Sequence, residues 1–380
     1  MEIIDDADGL SGLVERLSRE QCIVVDTESN SFHRFPDRVC LVQIGAGGRA
    51  WVIDPLGLTA DDVAPLGGLM ANPDVEKVIH AASNDIRVLD KEWSFRVANV
   101  FDTSIAAQFC GMRRVGLDSV LRDALGVAIV KSKSLQRADW TVRPLPNEAL
   151  QYAVDDVLHL QDLRDELVRR LEELGRTEWV AEEFRRLETV RYRAPDPPEI
   201  AFLNAKGSRA LGPQELAVLR ELYVFRHNEG VRRDMPPFKI LSDTVLTTIA
   251  AAGSDDLSEI EGIPANPLRR YGKRLQRARE RGLASPPVIR SRNGNSNSNG
   301  LEGRPTREQT DRLRDLKTWR NERGEELGLD PALIWPMQSL ERLARDPSLL
   351  NEEIGESASV VREWQAREFG ESLSTALATN

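Results

Sequence analysis

Ile23-Val24-Val25-Asp26-Thr27-Glu28-Ser29-Asn30 is the stretch around which the chain is organised. An apolar run leads directly into two carboxylates, Asp26 and Glu28, two residues apart. On a strand that spacing points both side chains to one face. Two like charges at the end of a hydrophobic strand repel each other and lose hydration, so something must offset the cost. A Lys or Arg partner would do so, and so would a divalent cation. The nearest bases, Arg34 and Arg38, lie in the following turn.

Outward from this stretch, Cys22–Glu28 reads as a strand preceded by a short amphipathic helix over 10–19. A turn at Phe35-Pro36-Asp37 leads to a second strand, Val39–Ile44. Ala46-Gly47-Gly48-Arg49 closes a hairpin onto a third, Ala50–Ile53. Later expectations are a helix over 63–70, a strand over 77–80, a helix over 83–92, a strand over 97–101, helices over 103–110 and 117–125, and one long helix over 147–173. Three antiparallel strands followed by strand–helix alternation predict a mixed sheet with helices on its faces, an α/β fold.

At 380 residues and 41% hydrophobic content, the chain can bury two or three cores. No apolar run approaches the ~20 residues that span a bilayer. The acidic start Met1–Asp6 lacks a secretion signal, and Cys22, Cys40 and Cys110 show no metal spacing, which predicts free thiols in a reducing cytoplasm. The net charge of −10 argues mildly against nucleic-acid binding. The charge is unevenly distributed, however. Residues 206–281 hold 14 Lys and Arg against 10 Asp and Glu, whereas 306–380 hold 10 against 15.

Pro-rich 193–198 and the Asn/Ser/Gly run 292–300 mark linkers. The expected units are 1–192, a linker over 193–207, a helical unit 208–284, a linker over 285–305, and a second helical unit 306–380. The two helical units read as a diverged repeat. Leu222-Tyr223-Val224-Phe225-Arg226, Met235-Pro236-Pro237 and Ile240 in the first answer to Leu316-Lys317-Thr318-Trp319-Arg320, Leu329-Asp330-Pro331 and Ile334 in the second.

Two further acids join the pair. Asp85 sits in the first turn of a helix, where acids are favoured in any case. Asp156 follows Tyr152 by four residues, which puts both on one helix face, while Asp155 points away. Read alone, Asp156 is a solvated acid beside a half-buried tyrosine. Four acids converging without matching bases would be costly unless divalent cations neutralise them. Oxygen-only ligands suit Mg²⁺ or Mn²⁺, and two such ions can clamp a phosphodiester.

These residues resemble the DEDD superfamily of 3′→5′ exonucleases and, within it, the ribonuclease D family. Asp26-Thr27-Glu28, His80-Ala81-Ala82-Ser83-Asn84-Asp85-Ile86 and Tyr152-Ala153-Val154-Asp155-Asp156-Val157 match the three motifs of the tyrosine subclass. Lys131-Ser132-Lys133-Ser134-Leu135-Gln136-Arg137-Ala138-Asp139-Trp140, continuing to Arg143-Pro144-Leu145, also matches. The helical repeats resemble HRDC domains. The resemblance implies a ribonuclease H-like exonuclease domain followed by two small all-α bundles. It implies two divalent metal ions: Asp26, Glu28 and Asp156 hold the first, Asp26 bridges to the second, and Asp85 reaches the second through water. Tyr152 would orient the attacking water, and nucleoside 5′-monophosphates would leave one at a time from the 3′ end of RNA such as tRNA precursors. The alternatives are a single-stranded DNA exonuclease and an inactive RNA-binding module. No Gly-x-x-x-x-Gly-Lys-Ser/Thr loop for a helicase occurs.

Substrate contacts are expected at Phe32, which would stack on the terminal base, and at Lys131, Trp140 and Arg143. Others are expected on the basic run holding Arg269, Arg270, Lys273, Arg274 and Arg277. His80 reads as a strand-end core residue, His159 as packing, and Asp102 as a helix cap. The chain is expected to act as a monomer. Removing 207–380 is expected to leave cleavage of short oligonucleotides largely intact.

Overall fold

The computed structural model describes residues 2–129, 132–254, 256–290, 304–355 and 360–378. Six strands form one sheet: β1 (Glu2–Ile4), β2 (Cys22–Ser29), β3 (Val39–Ala46), β4 (Arg49–Ile53), β5 (Glu76–Ile79) and β6 (Val100–Asp102), in the order β1-β4-β3-β2-β5-β6. β2, β3 and β4 are antiparallel neighbours, while β5 and β6 continue parallel to β2 and β1 pairs parallel with β4. The edge strand β1 is absent from the sequence expectation. Three residues are too few to show an alternation, and β1 exists only because Glu2–Ile4 pairs with Trp51–Ile53.

Helices cover both faces: α1 (Ala7–Leu17), α2 (Ala60–Ala71), α3 (Ser83–Trp93), α4 (Thr103–Phe109), α5 (Leu117–Leu125), α6 (Asn147–Leu158), α7 (Leu160–Glu173) and α8 (Thr177–Glu188). Ile23 and Val25 point into a core with α1, α2 and α3, whereas Val24 points into the opposite core with α4, α6 and α7. Burial on both faces accounts for the near-continuous apolar run of β3, broken only by the buried Gln43. The long helix expected over 147–173 is two helices that break at His159, whose backbone leaves helical geometry (φ −105°, ψ 1°). The break lets α6 cross β2, β3 and β4 while α7 turns onto β2, β5 and α4. No Pro or Gly marks it.

Past α9 (Pro198–Ala201), the first helical unit comprises α10 (Pro213–Arg233), α11 (Pro237–Ile240), α12 (Asp243–Ala251) and α13 (Ala265–Ala284), around its own core of Leu219, Leu222, Leu246, Ile249 and Leu275. The second comprises α14 (Arg307–Leu327), α15 (Pro331–Ile334), α16 (Met337–Arg345), α17 (Leu350–Glu353) and α18 (Glu363–Ala378). Long, very short, nine-residue and long helices recur in the same order in both.

The second helical unit is fused to the sheet domain. Trp364 of α18 stacks on Trp179 of α8 at 4.9 Å and meets Phe109 of α4 edge-on at 5.3 Å. Arg176 donates to the carbonyls of both Phe109 (2.7 Å) and Leu327 (2.5 Å). Gly111 (φ +81°) lies so close that a Cβ would come within 2.7 Å of the Gly328 carbonyl oxygen. Deleting 207–380 would strip one apolar core open, which revises the expectation that the sheet domain tolerates that truncation.

Candidate active site

Strand β2 delivers the first two acids. Asp26 and Glu28 lie opposite Gln43 and Leu41 of β3 in the antiparallel register, and a bulge between Glu28 and Ser29 ends the regular pairing. The Gln43 amide is buried and has no hydrogen-bond partner among the described residues. Across the strand ends, α6 contributes Asp156. One carboxylate oxygen from each of Asp26, Glu28 and Asp156 lies within 4.8 Å of the others. Together with Tyr152, these three acids line a cavity of about 300 Å³. Asp155, one residue away, accepts from Gln151 Nε2 at 2.7 Å on the outer face of α6.

Asp85 stands beside this trio rather than within it. It is buried in the first turn of α3 and accepts from the Thr27 hydroxyl at 2.5 Å. The turn that starts α3 is held by Asp102. This buried carboxylate accepts from four backbone N–H groups: Ala82 (2.8 Å), Ala81 (3.1 Å), Ser104 (2.8 Å) and Ile105 (3.1 Å). Asp102 thus caps α4 and also fixes Ala81 in its left-handed conformation (φ 58°), which aims α3 and Asp85 at the site. His80 is half-buried and lines the cavity, with Nδ1 2.8 Å from the Thr103 hydroxyl, so it is more than a core residue. His159 caps the break between α6 and α7 and does not line the cavity.

The electrostatics follow from crowding. Burial, and then the charges of Asp85, Glu28 and Asp156, push the Asp26 carboxyl well above its usual range. Burial, and then Asp156 and Asp85, push Glu28 to about 9. Burial pushes Asp85 to about 6 against the lowering effect of the Thr27 hydrogen bond. Such a set wants positive charge. An all-carboxylate trio at this spacing fits a hard divalent cation such as Mg²⁺ or Mn²⁺, held by Asp26, Glu28 and Asp156. Burial, Asp156 and Glu28 push the Tyr152 phenol up, so it is protonated at neutral pH. In that state it can serve as a hydrogen-bond group but not as a base.

The expected substrate contacts separate into different kinds. Phe32 is 44% exposed and open to a ligand. Trp140 is 1% exposed and packs at 6.2 Å behind Tyr152, so it is a wall of the site. Arg143 is committed internally, paired with Asp54 and donating to the carbonyls of Trp140 (2.7 Å), Val142 (2.9 Å) and Cys40 (3.2 Å). Both were expected to touch substrate; burial takes Trp140 out of reach, while Arg143 remains exposed and helps hold the 136–145 segment in place. Lys131 lies outside the described residues. On α13, Arg269, Arg270, Lys273 and Arg277 line an open groove and make no ion pair among the described residues. Arg274 lines the same groove but has a carboxylate partner. It pairs at 2.6 Å with the fully buried Glu229, which also binds Arg232 and Arg233. Sequence reasoning missed Thr27, Gln136 and Asp118. Gln136 and Asp118 line the cavity, and Gln136 hydrogen-bonds the Tyr152 phenol. Gln136 lay within the motif stretch 131–140, but a glutamine in an exposed turn carries no distinguishing signal.

Comparison with known proteins places the chain in a family. A 3′-5′ exonuclease family model matches residues 1–172, and an HRDC domain model matches 215–281. A ribonuclease D from Gluconacetobacter diazotrophicus is 34% identical over 69% of this chain, a match that spans 66% of that relative's length. A ribonuclease D from Pseudomonas paraeruginosa is 31% identical over 93% of this chain and 92% of its own. The crystal structure of Escherichia coli RNase D superposes with a TM-score of 0.70 at 24% identity, covering 100% of this chain and 98% of that one, a likeness of fold. No helix among the described residues is long and apolar enough to cross a membrane. A sheet that carries the carboxylate trio on β2 and α6, Tyr152 beside it and an HRDC domain downstream makes the chain a member of the ribonuclease D family of 3′-5′ exonucleases.

Proposed function

We propose that the protein is a divalent-metal-dependent 3′→5′ exoribonuclease that removes nucleoside 5′-monophosphates from the 3′ end of RNA, with tRNA precursors as substrates. The observation that carries this reading is the trio Asp26, Glu28 and Asp156 within 4.8 Å, next to a protonated Tyr152. Asp85, whose charge bears on Asp26, provides the outer half of a second cation position. Two bound divalent cations would supply the positive charge that activates water and stabilises the departing 3′-oxygen. The chain's own groups do the rest. Tyr152 O–H, tethered by Gln136, orients the attacking water. Asp102 holds the turn that presents Asp85. Trp140 keeps Tyr152 from swinging away.

RNA is favoured over DNA because the groove on α13, with Arg269, Arg270, Lys273 and Arg277, offers a phosphate-binding surface well outside the cavity, suited to the body of a folded RNA. We assign 1–192 to the exonuclease domain and 208–284 and 306–380 to HRDC-type domains, with linkers over 193–207 and 285–305. The protein is taken to act as a cytoplasmic monomer. The test is incubation with 3′-extended tRNA and with single-stranded DNA, in Mg²⁺, Mn²⁺ or chelator. Mononucleotide release from tRNA that needs metal supports the proposal. Release from DNA alone favours the DNA exonuclease, and no release from either polymer with either metal overturns the enzyme reading.

A further inference from the structure

One residue along the chain from Gln136, which lines the cavity, is a cation that no role so far described uses, Arg137. Two loop segments, 30–38 after β2 and 132–143 before α6, are tied together beside it. The His33 Nε2–H donates to the Arg137 carbonyl at 2.6 Å, and Arg34 pairs with Asp139 at 3.6 Å. Most other basic side chains of these segments are occupied. Arg34 also meets Asp234 (3.2 Å), Arg38 meets Glu92 (3.9 Å) and Arg143 meets Asp54. Arg137 is exposed and makes no ion pair among the described residues; its guanidinium stands 5.7 Å from the exposed Phe32 ring. Its chain neighbour Gln136 lines the cavity, and Phe32 lies four residues beyond Glu28.

We propose that Arg137 is a substrate-contacting residue that forks onto a backbone phosphate of the RNA 3′ end while Phe32 stacks on the adjacent base. The exposed Phe32 ring and the guanidinium that lies over it, which has no carboxylate partner among the described residues, match the two halves of a nucleotide, an aromatic plane and a phosphate. The acids of the cavity repel the polyanion that must enter, and a cation one residue from the cavity lining offsets that repulsion. Guanidinium suits the task better than ammonium because its fork meets two phosphate oxygens at once. This inference rests on the nuclease reading above.

The test uses the full-length protein with Arg137→Gln and Arg137→Lys. Equilibrium binding of a short 3′-hydroxyl RNA is measured by fluorescence anisotropy in chelator, and turnover is measured separately in Mn²⁺. Arg137→Gln should weaken binding about tenfold and raise KM similarly, with kcat changed less than about twofold. The salt slope of binding should fall by about 0.7. Arg137→Lys should keep the salt slope and recover part of the affinity. A methylphosphonate is then placed in turn at each of the last three linkages. At one of them wild type should lose about tenfold in affinity and Arg137→Gln nothing further. If Arg137→Gln binds as wild type does, or keeps the full penalty at every linkage, then Arg137 only staples the two segments through Phe32 and the proposal fails. Absence of turnover in the wild type would defeat the nuclease reading, while the binding measurements would still decide the role of Arg137.

Discussion

Glu28→Gln should stabilise the chelated protein, and increasingly so as pH rises. Glu28 is held at about 9 by burial and by Asp156 and Asp85, whereas the unfolded chain titrates it at the ordinary 4.5. A carboxyl raised in the folded state contributes fully below the unfolded value. That contribution is lost as pH climbs toward the folded one, because the unfolded chain releases its proton first. One proton makes the slope ~1.4 kcal/mol per pH unit, so between pH 5.5 and 8 wild type loses at most roughly 3 kcal/mol at this residue. Asp85, held at about 6, adds to the loss only up to that pH. The figure is an upper bound because Asp26, Asp85 and Asp156 share the crowding. Glutamine has the same shape and no proton to release. The assay is urea denaturation of both proteins in chelator at pH 5.5 and pH 8. The gap in favour of Glu28→Gln should widen by ~1–3 kcal/mol between the two pH values, and Mn²⁺ at pH 8 should reverse it by stabilising wild type alone. A chelated Glu28→Gln that is less stable than wild type at pH 8, or a gap that does not change with pH, would refute the claim that the carboxylates are mutually destabilising.

Asp156→Asn should abolish most single-turnover release in saturating Mn²⁺, because it removes a carboxylate from the trio; Asp155→Asn, whose partner is Gln151, should cost under about tenfold, or ~1.4 kcal/mol of barrier. Tyr152→Phe should fall between the two while leaving the Mn²⁺-induced rise in melting temperature intact. Trp364→Ala removes a side chain that is 1% exposed and stacked on Trp179, at a cost of ~3–5 kcal/mol. Thermal inactivation of nuclease activity on a short oligonucleotide should shift down accordingly, and an unchanged midpoint would mean that the second helical unit melts independently. Neutralising Arg269, Arg270, Lys273 and Arg277 together should weaken binding of folded tRNA and flatten its salt dependence. Arg274→Gln should instead lower stability, since it removes one of the cations on buried Glu229.

Several features were legible in the sequence because they depend on local periodicity. The i, i+2 spacing of Asp26 and Glu28 on a strand and the i, i+4 spacing of Tyr152 and Asp156 on a helix set which side chains share a face, whatever the rest of the chain does. The three-strand meander, the helical repeat and the apolar patterns of β2 and β3 are local in the same sense. Other features were decided by contacts between residues far apart in sequence. The edge strand Glu2–Ile4 depends on pairing with β4, and the break at His159 depends on two helices covering different parts of one twisted sheet. Asp102 looks like an ordinary helix cap until the turn at Ala81 and Ala82 is brought against it. Trp140 and Arg143 carry the residue types of a nucleotide site, yet packing behind Tyr152 buries the first and pairing with Asp54 ties down the second at the surface. Arg274 and Arg277 are indistinguishable in a basic run and both line the groove; the buried carboxylate of Glu229, 45 residues upstream of Arg274, pairs with one and not with the other. Periodicity says which way a side chain points, but the charge or ring that meets it there comes from another part of the chain, and only the tertiary structure supplies it.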